Sequence, residues 1–173
     1  MNIFLSHASA DTDVVNAVAR RLNEHGFVAY LAEHDNKAGE PLIPKVLAAL
    51  DDADAVVALL TPAGHTSTFV QQEIGYAKSR GTAVIPLVHQ DVRHDLGVLQ
   101  GAEYIALDPE NPEDALHNLA MRVVALAQEQ QAEIASLTKE AALKAQAERE
   151  EFVAMLALGV VVAVGAYLYF SST

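Results

Sequence analysis

Asp54-Ala55-Val56-Val57-Ala58-Leu59-Leu60-Thr61-Pro62 is the stretch on which the fold turns. Between the acids and the Thr-Pro pair, Ala, Val and Leu run without any polar alternation. A strand with one wet face would alternate, so this pattern predicts a strand covered on both faces, as in a parallel sheet. The flanks repeat the theme. Asn2–Ser6 is a short apolar strand candidate that ends in Ser-His-Ala-Ser-Ala-Asp. Asp11 or Thr12 is placed to cap a helix whose Val15, Val18 and Leu22 keep helical spacing, and Gly26 stops it. Residues 27–31 predict a second strand and 32–39 a polar loop. Pro41 suits the first turn of a helix carrying Ile43, Val46, Leu47 and Leu50 on one face.

Downstream, 68–79 reads as a helix ended by Gly81, 82–88 as a fourth strand and 104–107 as a weaker fifth. The final helix begins at Glu113. The order, strand and helix in alternation with short connections, predicts an α/β fold: a flavodoxin-like five-stranded parallel sheet with helices on both faces. Such sheets bind ligands beyond the carboxyl ends of their strands. Those ends are residues 6–10, 32–39, 61–67 and 89–95.

Composition divides the chain. It has 173 residues, 51% hydrophobic and 20% charged, with net charge −12 and no cysteine. The apolar residues are unevenly spread: 152–170 reads FVAMLALGVVVAVGAYLYF, with no charge in it. A helix of that length rises about 28 Å, near the ~30 Å hydrocarbon core of a bilayer. The bases Lys139, Lys144 and Arg149 precede it and only Ser171-Ser172-Thr173 follow, which predicts a tail-anchored, single-pass protein with its N-terminal domain in the cytoplasm. Residues 129–151 are rich in Ala, Glu, Gln and Lys and predict a helical stalk. Its thin, Ala-heavy seam at Ile134, Leu137 and Ala141 fits a weak coiled coil or a solvated single helix. The domains expected are therefore 1–128, the stalk at 129–151, a transmembrane helix at 152–170 and a short tail at 171–173.

Eleven Lys and Arg against 23 Asp and Glu leave no broad basic face, so nucleic acid is not an expected partner. No GxGxxG, GxxxxGK[ST] or GxSxG occurs, which disfavours phosphate-loop nucleotide binding and serine hydrolysis. The seven histidines form no HxxxH or HxH, and no metal site is expected. One cluster stands out, Ser67-Thr68-Phe69-Val70-Gln71-Gln72-Glu73 at a helix start. Ser67 is a plausible N-cap, and Phe69 and Glu73, four apart, set a carboxylate beside an aromatic wall. Alone, that pattern more often marks a solvated glutamate on a surface helix.

Five segments in order give the cluster its context. They are Ile3-Phe4-Leu5-Ser6-His7-Ala8-Ser9, Asp35-Asn36-Lys37-Ala38-Gly39-Glu40-Pro41-Leu42, Val57-Ala58-Leu59-Leu60-Thr61, the 67–73 cluster and Val84-Ile85-Pro86-Leu87. With them, residues 1 to 128 resemble a Toll/interleukin receptor (TIR) domain of the prokaryotic NAD-cleaving type. The resemblance implies cleavage of NAD⁺ as substrate, with no cofactor, at the nicotinamide–ribose bond. It implies Glu73 as the catalytic carboxylate, Phe69 and His7 packing against base or ribose, Ser6 and Ser67 hydrogen bonding, and Gly39 admitting the ligand close to the backbone. It further implies other TIR domains as partners in a homo-oligomer, with sites often shared between subunits, and a role in antiphage defence by NAD⁺ depletion or an ADP-ribose-derived signal. Phe69 stands where the family often has Trp, and Ala8 where some active members carry a base. The alternative reading is a non-catalytic TIR adaptor that works only through TIR–TIR contact at a membrane.

Overall fold

The computed structural model describes the backbone of residues 1–31, 42–92 and 96–171, and within these the side chains of 1–31, 44–92 and 96–156. Among the described residues there are five strands: β1 (Asn2–Ser6), β2 (Val28–Leu31), β3 (Ala55–Leu60), β4 (Ala83–His89) and β5 (Ile105–Leu107). They alternate with helices α1 (Thr12–Glu24), α2 (Leu42–Asp51), α3 (Pro62–Thr66), α4 (Thr68–Arg80) and α5 (Pro112–Ser171). The strands form one parallel sheet in the order β2-β1-β3-β4-β5. Every residue of β3 is buried, which is why its sequence lacks alternation. At the edge, β2 leaves Val28 and Tyr30 exposed.

Right-handed crossovers decide which face each helix covers. The chain leaves β1 toward β2 in one direction and returns from β2 toward β3 in the other, so α1 and α2 fall on opposite faces. The side chains agree. Arg21 of α1 pairs with Glu113 at the start of α5, Nη2 to Oε2 at 2.5 Å. On the other face, the Tyr76 hydroxyl of α4 donates to Asp51 Oδ1 of α2 at 2.8 Å, and Arg80 Nε lies 3.3 Å from the same oxygen. That hydrogen bond raises the pKa of the Tyr76 phenol. Beneath α4, Ala58, Leu60, Val70, Ile74, Val88 and Leu99 form one cluster, and Phe4, Leu50, Val56 and Ala77 a second. Burying each Leu, Ile or Phe contributes about 1.5–3 kcal/mol.

Several boundaries differ from the sequence expectation. The second strand starts at Val28 and the fourth runs from Ala83 to His89. The short α3 occupies a stretch read as loop. Asp11 precedes α1 but makes no side-chain cap hydrogen bond. Its carboxylate is engaged elsewhere.

The chain divides into two compact units, Met1–Ala125 and Leu126–Thr173. The second is helical, and residues 129–151 lie wholly within α5. Its surface shows Ile134, Leu137 and Leu143 all more than half exposed, with Lys144 and Glu140 paired at 2.8 Å one turn apart. Among the described residues no helix is long and apolar enough to cross a membrane. The span expected at 152–170 is thus not found there. Most of it, from 157 onward, carries side chains outside the described residues.

Candidate active site

Helix α4 begins where Ser67, in extended conformation, caps it by accepting a hydrogen bond from the Val70 N–H at 3.4 Å. It ends at Gly81, whose φ of 75° is the left-handed conformation that closes a helix without steric cost. Between these caps, Val70, Glu73, Ile74 and Ala77 all turn toward the sheet. Glu73 is therefore not a solvated surface residue; it is 4% exposed. A carboxyl set among apolar neighbours requires a polar partner, and β1 supplies one. The Ser6 hydroxyl, fully buried, donates to Glu73 Oε2 at 2.5 Å.

The position of this pair follows from topology. Ser6 is the last residue of β1, and β1 lies between β2 and β3. The chain leaves β1 toward β2 and leaves β3 toward β4, in opposite directions, so the carboxyl ends of β1 and β3 mark the switch point of the sheet, the usual ligand position in such folds. Burial pushes the Glu73 carboxyl up from 4.5 to about 7, and the Ser6 hydrogen bond works against that rise. A carboxyl of this kind exchanges its proton near neutrality.

The other expected site residues lie on or next to the same two elements, or outside the described residues. His7 follows Ser6 directly and is 6% exposed. Its Nδ1 lies 3.0 Å from the Leu5 carbonyl oxygen, which can only accept, so the neutral ring carries its proton on Nδ1. Ser67 and Phe69 sit in and just before the first turn of α4, and the Phe69 ring is 54% exposed. Ser6 spends its donor within the protein. A hydroxyl has a single hydrogen, and that of Ser6 is given to Glu73, so toward a ligand it can only accept. Gly39 lies outside the described residues.

A second polar chain, not foreseen from the sequence, fixes the approach to α4. Thr61 Oγ1 donates to Asp11 Oδ2 at 2.8 Å and accepts from the Gly64 N–H at 2.9 Å. Gly64 admits no side chain, because a Cβ there would stand 2.1 Å from the Leu59 carbonyl oxygen. The turn after β1, the end of β3 and α3 are thereby joined just ahead of Ser67. The signal was present in Thr61-Pro62, an N-cap followed by proline at the first helical position. A cleft of about 520 Å³ lies elsewhere, lined by residues such as Asp11, Val14, Thr61, His89 and Leu116 but not by Glu73. Among the described residues no group of three His, Cys, Asp or Glu gathers as a metal site.

A five-stranded parallel sheet in the order 2-1-3-4-5 is a doubly wound α/β arrangement, and Glu73 lies buried beside the end of its first strand. The TIR domain family matches residues 3–120, and the chain belongs to that family. No curated protein is significantly similar in sequence. Among solved structures, the TIR domain of the Toll-related receptor TRR-2 from Hydra magnipapillata is similar, with 13% identity and a TM-score of 0.58. That likeness covers 71% of this chain and 97% of that one. The CMP N-glycosidase BcmB from Clostridium botulinum is similar with 19% identity and a TM-score of 0.52, over 70% of this chain and 99% of that one. At these identities the likeness is one of fold.

Proposed function

We propose that this TIR domain cleaves the N-glycosidic bond between nicotinamide and ribose in NAD⁺. The observation that carries the reading is Glu73, a carboxyl buried beside the end of β1 and held there by Ser6. The chemistry needs little more. In NAD⁺ the leaving base is a pyridinium; when the C1′–N bond breaks, the electron pair neutralises it, and no general acid is required. Positive charge then develops on the ribose as an oxocarbenium, and an ionised carboxylate stabilises it most effectively where water is scarce. Water adds to C1′ and gives up a proton, for which Glu73 is a suitable acceptor. Phe69, half-exposed on the first turn of α4, offers a flat apolar wall, and His7 an imidazole beside the end of β1.

Other parts of the reading rest on sequence. We place residues 152–170 in a membrane as a single anchor, with the TIR domain cytoplasmic, on their length and lack of charge. The exposed Ile134, Leu137 and Leu143 of α5 suit self-association with other copies, which tethering to a bilayer favours by raising local concentration. Consumption of NAD⁺, or an ADP-ribose-derived product, would then serve antiphage defence.

The experiment is to incubate the full chain and its Glu73→Ala variant with NAD⁺, in solution and on vesicles, and to identify products by mass spectrometry. The wild type should release nicotinamide and the variant should not. Equal release by both, or none under any clustering condition, sinks the enzyme and leaves the non-catalytic adaptor.

A further inference from the structure

We propose that Ser6 is a positioning residue, acting on the reaction through Glu73 by holding Oε2 and so setting the direction of the carboxylate. The inference rests on the glycosidase reading for its kinetic consequence, but the contact itself stands on geometry.

Ser6 cannot easily move. It is the last residue of β1, paired with Ala58 of β3, and is fully buried. Glu73 is differently placed. Its backbone belongs to α4, and three rotatable bonds separate the carboxyl from that helix, two with staggered wells and the last broad and roughly two-fold. The 2.5 Å hydrogen bond bridges 67 residues of sequence and ties the flexible group to the rigid one. A carboxylate that must meet a developing charge gains most when it is already aimed, because reorientation otherwise adds to the barrier. The hydroxyl also favours the ionised form, against the burial that favours the protonated one.

A residue that bound substrate directly would act on KM. One that aims and ionises Glu73 acts on kcat and on the acid limb of the pH profile. The test therefore has two readouts on the detergent-solubilised full chain: ¹³C NMR titration of the Glu73 carboxyl, identified by its loss in Glu73→Gln, and the pH dependence of nicotinamide release. In Ser6→Ala the titration midpoint should rise by about one unit, the size expected for one hydrogen bond to a charged group. At pH 7, kcat should fall roughly tenfold with KM within about twofold. Ser6→Cys, with a weaker donor of similar shape, should fall between, and it replaces the alanine variant if that one does not fold.

An unchanged midpoint in the folded variant overturns the proposal, as does a rise in KM with kcat and the acid limb unchanged. If the wild type releases no nicotinamide, the glycosidase reading fails by itself. The titration still decides whether Ser6 governs Glu73.

Discussion

The Thr61 hydroxyl donates to Asp11 Oδ2 across 2.8 Å while accepting from the Gly64 N–H, so one side chain joins the end of β3 to the turn after β1 and to α3. All three partners are buried, with Thr61 7% and Asp11 8% exposed. Replacing Thr61 by Val keeps the shape and deletes both hydrogen bonds. The loss should be about 2–4 kcal/mol in urea unfolding, since each buried group left without its partner costs about 1–3 kcal/mol. Thr61→Ser should lose under about 1 kcal/mol. Equal losses would mean that the methyl, not the hydroxyl, matters.

Gly64 is the steric counterpart of that network. An added Cβ would stand 2.1 Å from the Leu59 carbonyl oxygen, which is backbone and cannot swing aside. Gly64→Ala should therefore shift α3 or destabilise the domain by at least about 2 kcal/mol, within the range of overpacking costs. A melting temperature equal to wild type would show that the backbone there yields freely.

Glu73 makes stability depend on pH in the direction opposite to most acids. Its carboxyl titrates at about 7 in the folded chain, against 4.5 as the ordinary value. The folded state thus binds more protons than the unfolded between these values, and stability falls as pH rises from 4.5 through 7. The full loss above pH 7 is on the order of 3 kcal/mol. Glu73→Gln removes this dependence, so it should be more stable than wild type at pH 8 by an amount that shrinks toward pH 4.5. Parallel stability profiles for the two proteins would contradict the buried ionisation.

Phe69 separates binding from folding. Being 54% exposed, it contributes little to the core, and Phe69→Ala should change stability by no more than about 0.5 kcal/mol. If the ring is a wall for the ligand, KM for NAD⁺ should rise several-fold at unchanged thermal stability. A stability loss beyond about 1 kcal/mol with KM unchanged would assign it to packing.

Ile74 is fully buried between α4 and the sheet, in the same cluster as Val70 and Leu99. Ile74→Ala should cost about 2–5 kcal/mol by calorimetry or denaturant. Because Glu73 precedes it on the same turn, some loss of activity should accompany the cavity. Loss of activity with no loss of stability would indicate that the face of α4 has been misassigned.

The order of elements was legible in the residues because local rules govern it. A continuous apolar run at β3, proline near the start of α2 and glycine after α1 and α4 are signals that neighbouring residues make complete. Glu73 was legible as a candidate through its company of Ser67 and Phe69. Its state was not. The pattern alone more often marks a solvated acid, because helical spacing places a residue on a face without saying what covers that face.

Folding brings Ser6 to Glu73 across 67 positions and Asp11 to Thr61 across 50. Burial and hydrogen bonding between distant segments decide the proton affinity of a carboxyl, and both arise when strands pair. Periodicity and end signals in the residues were enough to specify a parallel sheet and the order of its elements. Which carboxyl is dry, which hydroxyl holds it, and why residue 64 must be glycine were decided by packing, where atoms far apart along the chain compete for the same space.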